Sequence, residues 1–206
     1  MLSTKERRER QKLAMKEAIL AAARQVAREE GWPAVTVRRV AALVEYTPPI
    51  IYQYFMSKEA MLEELQAQGF ALLAEGMRRA STTGTGPRER LLAVADAYLA
   101  FAYEQPEIYQ LMHGSNSASV ALEATLPRAT VVAEIVRECL EAWAAAHHVA
   151  LPDPETAVEI AWGLIHGLIS VEMLGRLRGG KERVREMVRE AIGDLLTAWA
   201  LKWTVQ

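Results

Sequence analysis

Apolar residues recur at spacings of three and four along nearly the whole 206-residue chain, and no stretch sustains the two-residue alternation of a half-buried strand. Asn-Gly and Asp-Gly hairpin turns are also absent, so the chain is restricted to an all-α fold. Breakers then divide it. A first helix runs to about Glu30, with Ile19, Ala22, Ala23, Val26 and Ala27 on one face, and stops at Gly31. Thr36 caps a short helix carrying Val40 and Ala41. Thr47 and Pro48 form a cap-plus-N1 pair that opens a very short one through Ile51 and Tyr54. Ser57 starts a long helix towards Arg79, and the Ser81–Pro87 stretch is the clearest linker. Further helices are predicted over 88–104, 106–113, 127–148, 154–178 and 181–203, punctuated by Pro106, Pro127, Pro152-Asp-Pro154 and Gly179-Gly180. The expected organisation is a small head, residues 1–60, and a larger helical body, residues 61–206.

Net charge is −2 overall, which by itself argues against a polyanionic partner. Its distribution argues otherwise. Residues 1–55 hold ten Lys and Arg against six Asp and Glu, whereas the remainder is acidic. A basic head on an acidic body suits a nucleic-acid contact at one end. The single cysteine, Cys139, excludes an internal disulfide and fits a reducing compartment; it reads as a small buried hydrophobe. The charged N-terminus is no signal peptide. The longest apolar run, Ile160 to Leu174, is broken by His166 and Glu172, so no membrane span is expected and the protein is read as cytoplasmic.

Two short helices a few residues apart, Thr36 to Phe55, form a helix-turn-helix whose second helix can enter a major groove. Val40, Ala41, Ile51 and Phe55 have the spacing to bury against the first helix. That leaves Arg38, Pro49, Ile50, Tyr52 and Gln53 facing outward, and exposed apolar groups on a short helix suggest a binding surface. Pro49 and Ile50 suit thymine methyls, Gln53 can pair bidentately with adenine, and Arg38 with guanine. Tyr54 and Lys58 are better placed for phosphates. The basic stretch Lys5, Arg7, Arg8, Arg10, Lys12 and Lys16 reads equally as a second nucleic-acid contact or as a solvated helix start paired with Glu6, Glu9 and Glu17.

The segment Thr36, Val40, Ala41, then Ile51-Tyr52-Gln53-Tyr54-Phe55, then Ser57-Lys58-Glu59-Ala60-Met61-Leu62 resembles the DNA-binding signature of the TetR family of bacterial repressors. The resemblance covers about residues 14–62. It implies an N-terminal three-helix DNA-binding domain joined to a larger helical ligand-binding and dimerisation domain. It also implies phosphate contacts from Thr36, Tyr54 and Lys58, and base contacts from Arg38, Pro49, Tyr52 and Gln53. The family usually has glycine in the turn where this chain has Glu45; a positive φ is expected there, at a cost of about 1 kcal/mol.

The body must then supply a dimer face, because a two-fold operator is read by a two-fold protein. Helices 154–178 and 181–203 are apolar on two faces, one for their own domain and one for a partner. Gly163 and Gly167 allow close approach, either to the partner or within the chain. Trp162, His166 and Gly167, with Phe101, Tyr109, Met112 and His113 upstream, are similar to the Trp-His-Gly subgroup of TetR effector domains. That similarity implies a pocket lined by Phe101, Tyr109, Met112, His113, Trp162 and His166 for an apolar or planar effector. Each of these residues also reads as ordinary core, and His166 as a hydrogen-bonded core histidine. No metal or cofactor is expected: His147 and His148 are adjacent and diverge by about 100° on a helix. No nucleophile, P-loop or paired-carboxylate pattern points to an enzyme. The expected function is a homodimeric, ligand-released repressor of a palindromic operator. A helical metabolite-binding enzyme and a protein-binding adaptor are the other classes such a chain could serve.

Overall fold

The computed structural model describes residues 3–113 and 122–204. The helices are α1 Thr4–Glu30, α2 Val37–Leu43, α3 Pro48–Ile51, α4 Lys58–Ser81, α5 Pro87–Glu104, α6 Pro106–His113, α7 Leu122–Ala146, α8 Pro154–Met173 and α9 Gly180–Trp203, with a 3₁₀ turn at Trp32–Ala34. Among the described residues the only β pairing is an isolated bridge between Val149 and Thr204. Two compact units divide the chain: one takes in the described residues up to Gly69 and those from Pro106 to Thr125; the other takes in Phe70–Gln105 and Leu126 onward.

In the first unit, α1 begins on a capping box: Glu6 N–H donates to Ser3 Oγ, and Ser3 N–H donates to Glu6 Oε2. Its buried face is Ile19, Leu20, Ala22, Ala23, Val26 and Ala27, packed against α2 and α6. Thr36 Oγ1 accepts from Arg39 N–H at 3.1 Å to cap α2. The helix closes through Tyr46 N–H to Ala41 O (2.9 Å) and Glu45 N–H to Ala42 O (3.3 Å). This is a Schellman closure, whose left-handed position is ordinarily glycine. Glu45 occupies it at φ 60°, as expected from its place in the turn. Glu45→Gly should therefore raise stability by about 1 kcal/mol, a gain of roughly 2–4 °C in a thermal melt; an unchanged or lower midpoint would show that the strain is absent.

The structure departs from the sequence expectation at several helix ends. Thr47 does occupy the cap position of α3, yet its hydroxyl caps nothing. Pro48 and Pro49 carry no N–H, and the one remaining donor of the first turn, Ile50 N–H, is taken by Thr47 O at 2.9 Å. Pro127 does not start a helix but lies inside α7, where it lacks the N–H that would reach Glu123 O. Finally, α8 ends at Met173 rather than 178. Gly175, at φ 69°, donates to Glu172 O, and Arg176 donates to Val171 O, a second Schellman closure.

In the second unit, α5, α8 and α9 pack on one another through Leu91, Leu92, Ala95, Tyr98 and Leu99 from α5, Ile165 and Ile169 from α8, and Val184, Val188, Ile192 and Leu196 from α9. Asp96 on α5 accepts from Arg189 on α9 at 2.6 Å. The expectation that His166 and Glu172 interrupt the apolar run 160–174 is corrected here. By length and composition alone α8 is apolar enough to cross a membrane, because its histidine and few glutamates lower its mean hydropathy too little. Only 22% of that window is buried within the chain. A second apolar face, Ile160, Gly163, Leu164, Gly167, Val171 and Leu174, is therefore largely uncovered.

Candidate nucleic-acid interface

Burial divides α2 and α3 as the periodicity predicts. Val40, Ala41, Ile51 and Phe55 are each at most 5% exposed; α2 packs on α1 and α3 packs on α2. Arg38, Pro49, Tyr52 and Gln53 are exposed, and Ile50 is half-buried. Thr36 is also exposed; its oxygen accepts from Arg39 N–H, which leaves its O–H to donate to a phosphate. Tyr54 and Lys58 are half-buried beside the start of α4, where Ser57 Oγ accepts from Ala60 N–H.

The neighbouring arginines are distinguished by their partners. Arg39 donates from Nη2 (2.5 Å) and Nε (3.2 Å) to Glu30 Oε1, and these bonds raise its pKa above the ordinary guanidinium value. It is thereby tied to α1. Arg38 projects from the same turn without an ion pair among the described residues. Two exposed groups escape sequence reasoning: Tyr46 (47%) and Met56 (92%). Both sit in turns, where periodicity assigns no face, and Met56 follows buried Phe55 directly.

The residues predicted to line an effector pocket are distributed over both units. Tyr109, Met112 and His113 belong to α6 in the first. Tyr109 and Met112 are buried, the Tyr109 ring lies 4.9 Å from that of His113, and the Met112 side chain packs onto Gly69, where an added Cβ would come within 2.8 Å of its sulfur. Phe101, Trp162 and His166 belong to the second. Phe101 is buried, Trp162 stacks on His166 with centroids 5.2 Å apart, and the Trp162 indole N–H donates to Tyr98 Oη at 3.2 Å. Burial pushes the His166 pKa down and favours the neutral ring. A cavity of about 110 Å³ in this unit is lined by Leu99, Ala100, Tyr103, Glu104, Lys181, Glu182 and Arg185, none of them predicted. Burial, with the charge of Glu172 beside it, pushes the Tyr103 phenol up to about 12.

A buried carboxylate joins α6 to α1. Glu107, 5% exposed, accepts from Arg24 (2.9 Å) and Arg28 (3.0 Å), while its backbone carbonyl accepts from the Trp32 indole N–H at 2.7 Å. Burial pushes the carboxyl up, and the two guanidiniums more than offset it, holding it below the usual range.

Residues 19–65 match the family model described as bacterial regulatory proteins of the tetR family, and residues 91–195 match the tetracyclin repressor-like C-terminal domain. The chain belongs to the TetR family. The first match contains Thr36, Arg38, Pro49, Tyr52, Gln53, Tyr54 and Lys58, and TetR proteins are DNA-binding transcriptional regulators. Among curated relatives, the chain is 29% identical over 92 residues to YobS of Bacillus subtilis, an uncharacterized HTH-type transcriptional regulator (45% of this chain, 48% of that protein). It is 29% identical over 94 residues to FasR of Mycolicibacterium smegmatis, an HTH-type transcriptional activator (46% and 43%). The chain thus spans about half the length of the curated relatives it matches. Among solved structures, a Rhodococcus sp. RHA1 protein of unknown function superposes with a TM-score of 0.74 at 21% identity (92% of this chain, 95% of that chain). The TetR regulator PfmR of Thermus thermophilus does so at 0.65 and 20% (86% and 96%). These structural likenesses extend the TetR fold over both units.

Proposed function

We propose that this TetR protein is a cytoplasmic, ligand-responsive repressor that binds a palindromic operator as a homodimer and is released by a small apolar or planar effector. It acts by binding and carries out no catalysis. The observation that carries the DNA reading is the surface of α2 and α3. Their packing residues are buried, whereas Arg38, Pro49, Tyr52 and Gln53 remain exposed beside Thr36, Tyr54 and Lys58, which are assigned to phosphates. Dimerisation is assigned to α8 and α9, supported by the uncovered face of α8, where an added Cβ at Gly163 or Gly167 meets nothing within 4 Å. The stacked Trp162 and His166, followed by Gly167, support the Trp-His-Gly subgroup and a polar anchor for the effector. Phe101, in the same unit, is assigned to the same ligand.

The test is equilibrium binding to duplexes drawn from the region upstream of the protein's own gene. Wild type should discriminate one site from random sequence. Arg38→Ala or Gln53→Ala should reduce that discrimination by about 5- to 150-fold, the value of one bidentate base contact. Lys58→Ala should weaken specific and random duplexes alike. Equal losses on both duplexes from all three variants would remove the base-reading assignment. A reporter under the same region separates repression from the activation for which FasR is named: deletion of the regulator raises output in the first case and lowers it in the second.

A further inference from the structure

The first four turns of α1 lie beyond its buried face. Residues 4–14 are all exposed, yet they continue the helix without a break and are closed by the Ser3–Glu6 capping box. At about 100° per residue, Lys5, Arg8, Lys12 and Lys16 fall within roughly 80° of one another and form one basic stripe. Arg7 and Arg10 point to the opposite side. Glu9 lies at the edge of the stripe, and Glu6 is turned into the cap.

Contacts within the first unit orient this stripe. Arg24 and Arg28 reach Glu107 of α6, whereas Lys16 pairs with Glu64 at 2.9 Å and sits 5.7 Å from the centre of the Phe55 ring. Following α1 backwards from Arg28 to Lys16 therefore leads from α6 to the α3–α4 junction. The remaining residues project past that junction, and Lys5 lies about 16 Å beyond Lys16 along the axis. The stripe that Lys16 anchors is the one facing the recognition end. Lys5, Arg8 and Lys12 take part in no ion pair among the described residues.

We propose that Lys5, Arg8 and Lys12 form a second, sequence-independent DNA contact, in which a rigid helical extension lies along the phosphates flanking the half-site read by α3. The occupant follows from charge complementarity and from continuity with the recognition surface: three cations held on an ordered helix beside a major-groove reader match a polyanion running past it. This inference rests on the reading of the chain as a DNA binder.

The experiment measures the salt dependence of binding by the full-length protein to a random-sequence duplex of about 40 base pairs, which requires no knowledge of the operator. The variant Lys5→Gln/Arg8→Gln/Lys12→Gln removes the charges and keeps good helix formers, so helicity by circular dichroism should be unchanged. Each lost phosphate contact lowers the slope of log Kobs against log salt by about 0.9, or about 2.7 per protomer. Between about 50 and 200 mM salt, binding by the variant should accordingly fall roughly 40-fold less than wild type for each protomer engaged, or about 1,800-fold less for a dimer with both extensions on the duplex. The control Arg7→Gln/Arg10→Gln, on the opposite side, should keep the wild-type slope. If the triple variant keeps that slope, or the control loses as much per charge, the proposal is overturned while DNA binding stands. A wild type that binds no duplex overturns both.

Discussion

Gly163→Arg should convert the protein from dimer to monomer and lower its affinity for a two-fold operator by about 10²- to 10⁴-fold, the advantage that linking two half-site readers confers. In most helices an arginine introduced on an apolar face would disturb the chain that carries it. Here a Cβ at position 163 meets nothing within 4 Å, so the single chain accommodates the side chain in open space. Replacing a mid-helix glycine should even favour the monomer's own helix by about 0.8–1 kcal/mol. The penalty falls entirely on the partner. On the face formed by Ile160, Leu164, Val171 and Leu174, an arginine at the close-approach position separates the backbones and leaves a charge to be desolvated. Sedimentation should give the monomer mass, circular dichroism should be unaltered, and binding to a single half-site should be nearly that of wild type. A Gly163→Arg protein that still sediments as a dimer would show that the two-fold contact lies elsewhere.

That face also shows where the sequence was legible. The positions that bury in α1, α2 and α3 follow from spacing alone, so the outward set Arg38, Pro49, Tyr52 and Gln53 could be named as what remained. The strained turn at Glu45 was legible through the resemblance, which puts glycine at that position; the Schellman closure gives the physical reason, since it needs one left-handed residue there. Other features depend on partners that local pattern does not encode. Arg38 and Arg39 are alike in sequence; only Glu30, nine positions back from Arg39, distinguishes them. Thr47 sits at the cap, but its hydroxyl caps nothing because Pro49 removes one donor and the other, Ile50 N–H, goes to Thr47 O. The end of α8 at Gly175 was missed because a single glycine directly after an apolar run is compatible with a continuing helix. Effector-lining residues were the least legible, since an apolar group facing a pocket and one facing a neighbouring helix have the same period. Met112 illustrates the ambiguity by packing onto Gly69.

The second large effect concerns Trp32 and Glu107, a pairing 75 positions apart that no periodicity reveals. Trp32→Ala should destabilise the protein by about 3–5 kcal/mol, as emptying a well-packed aromatic site does. The loss includes the hydrogen bond that the indole N–H donates to buried Glu107 O. For a chain of this size, the thermal midpoint should fall by roughly 6–20 °C. Glu107→Gln should cost less, about 2 kcal/mol: Arg28 is 65% exposed and regains water, while Arg24, at 26%, regains only part. The carboxylate also carries a pH signature. Its pKa is held below the usual range in the folded protein, so its contribution is complete above the ordinary carboxylate value and is lost as pH falls through the folded one. Stability differences between wild type and Glu107→Gln should therefore be constant near neutrality and shrink in acid. The two substitutions should not add. Without the indole, the α1–α6 contact loosens and Glu107 can rehydrate, so the double variant should fall short of the summed losses by about 0.5–3 kcal/mol. Full additivity in unfolding by denaturant would mean that the indole and the carboxylate act independently, and that the Trp32 bond does not hold Glu107 between its two arginines.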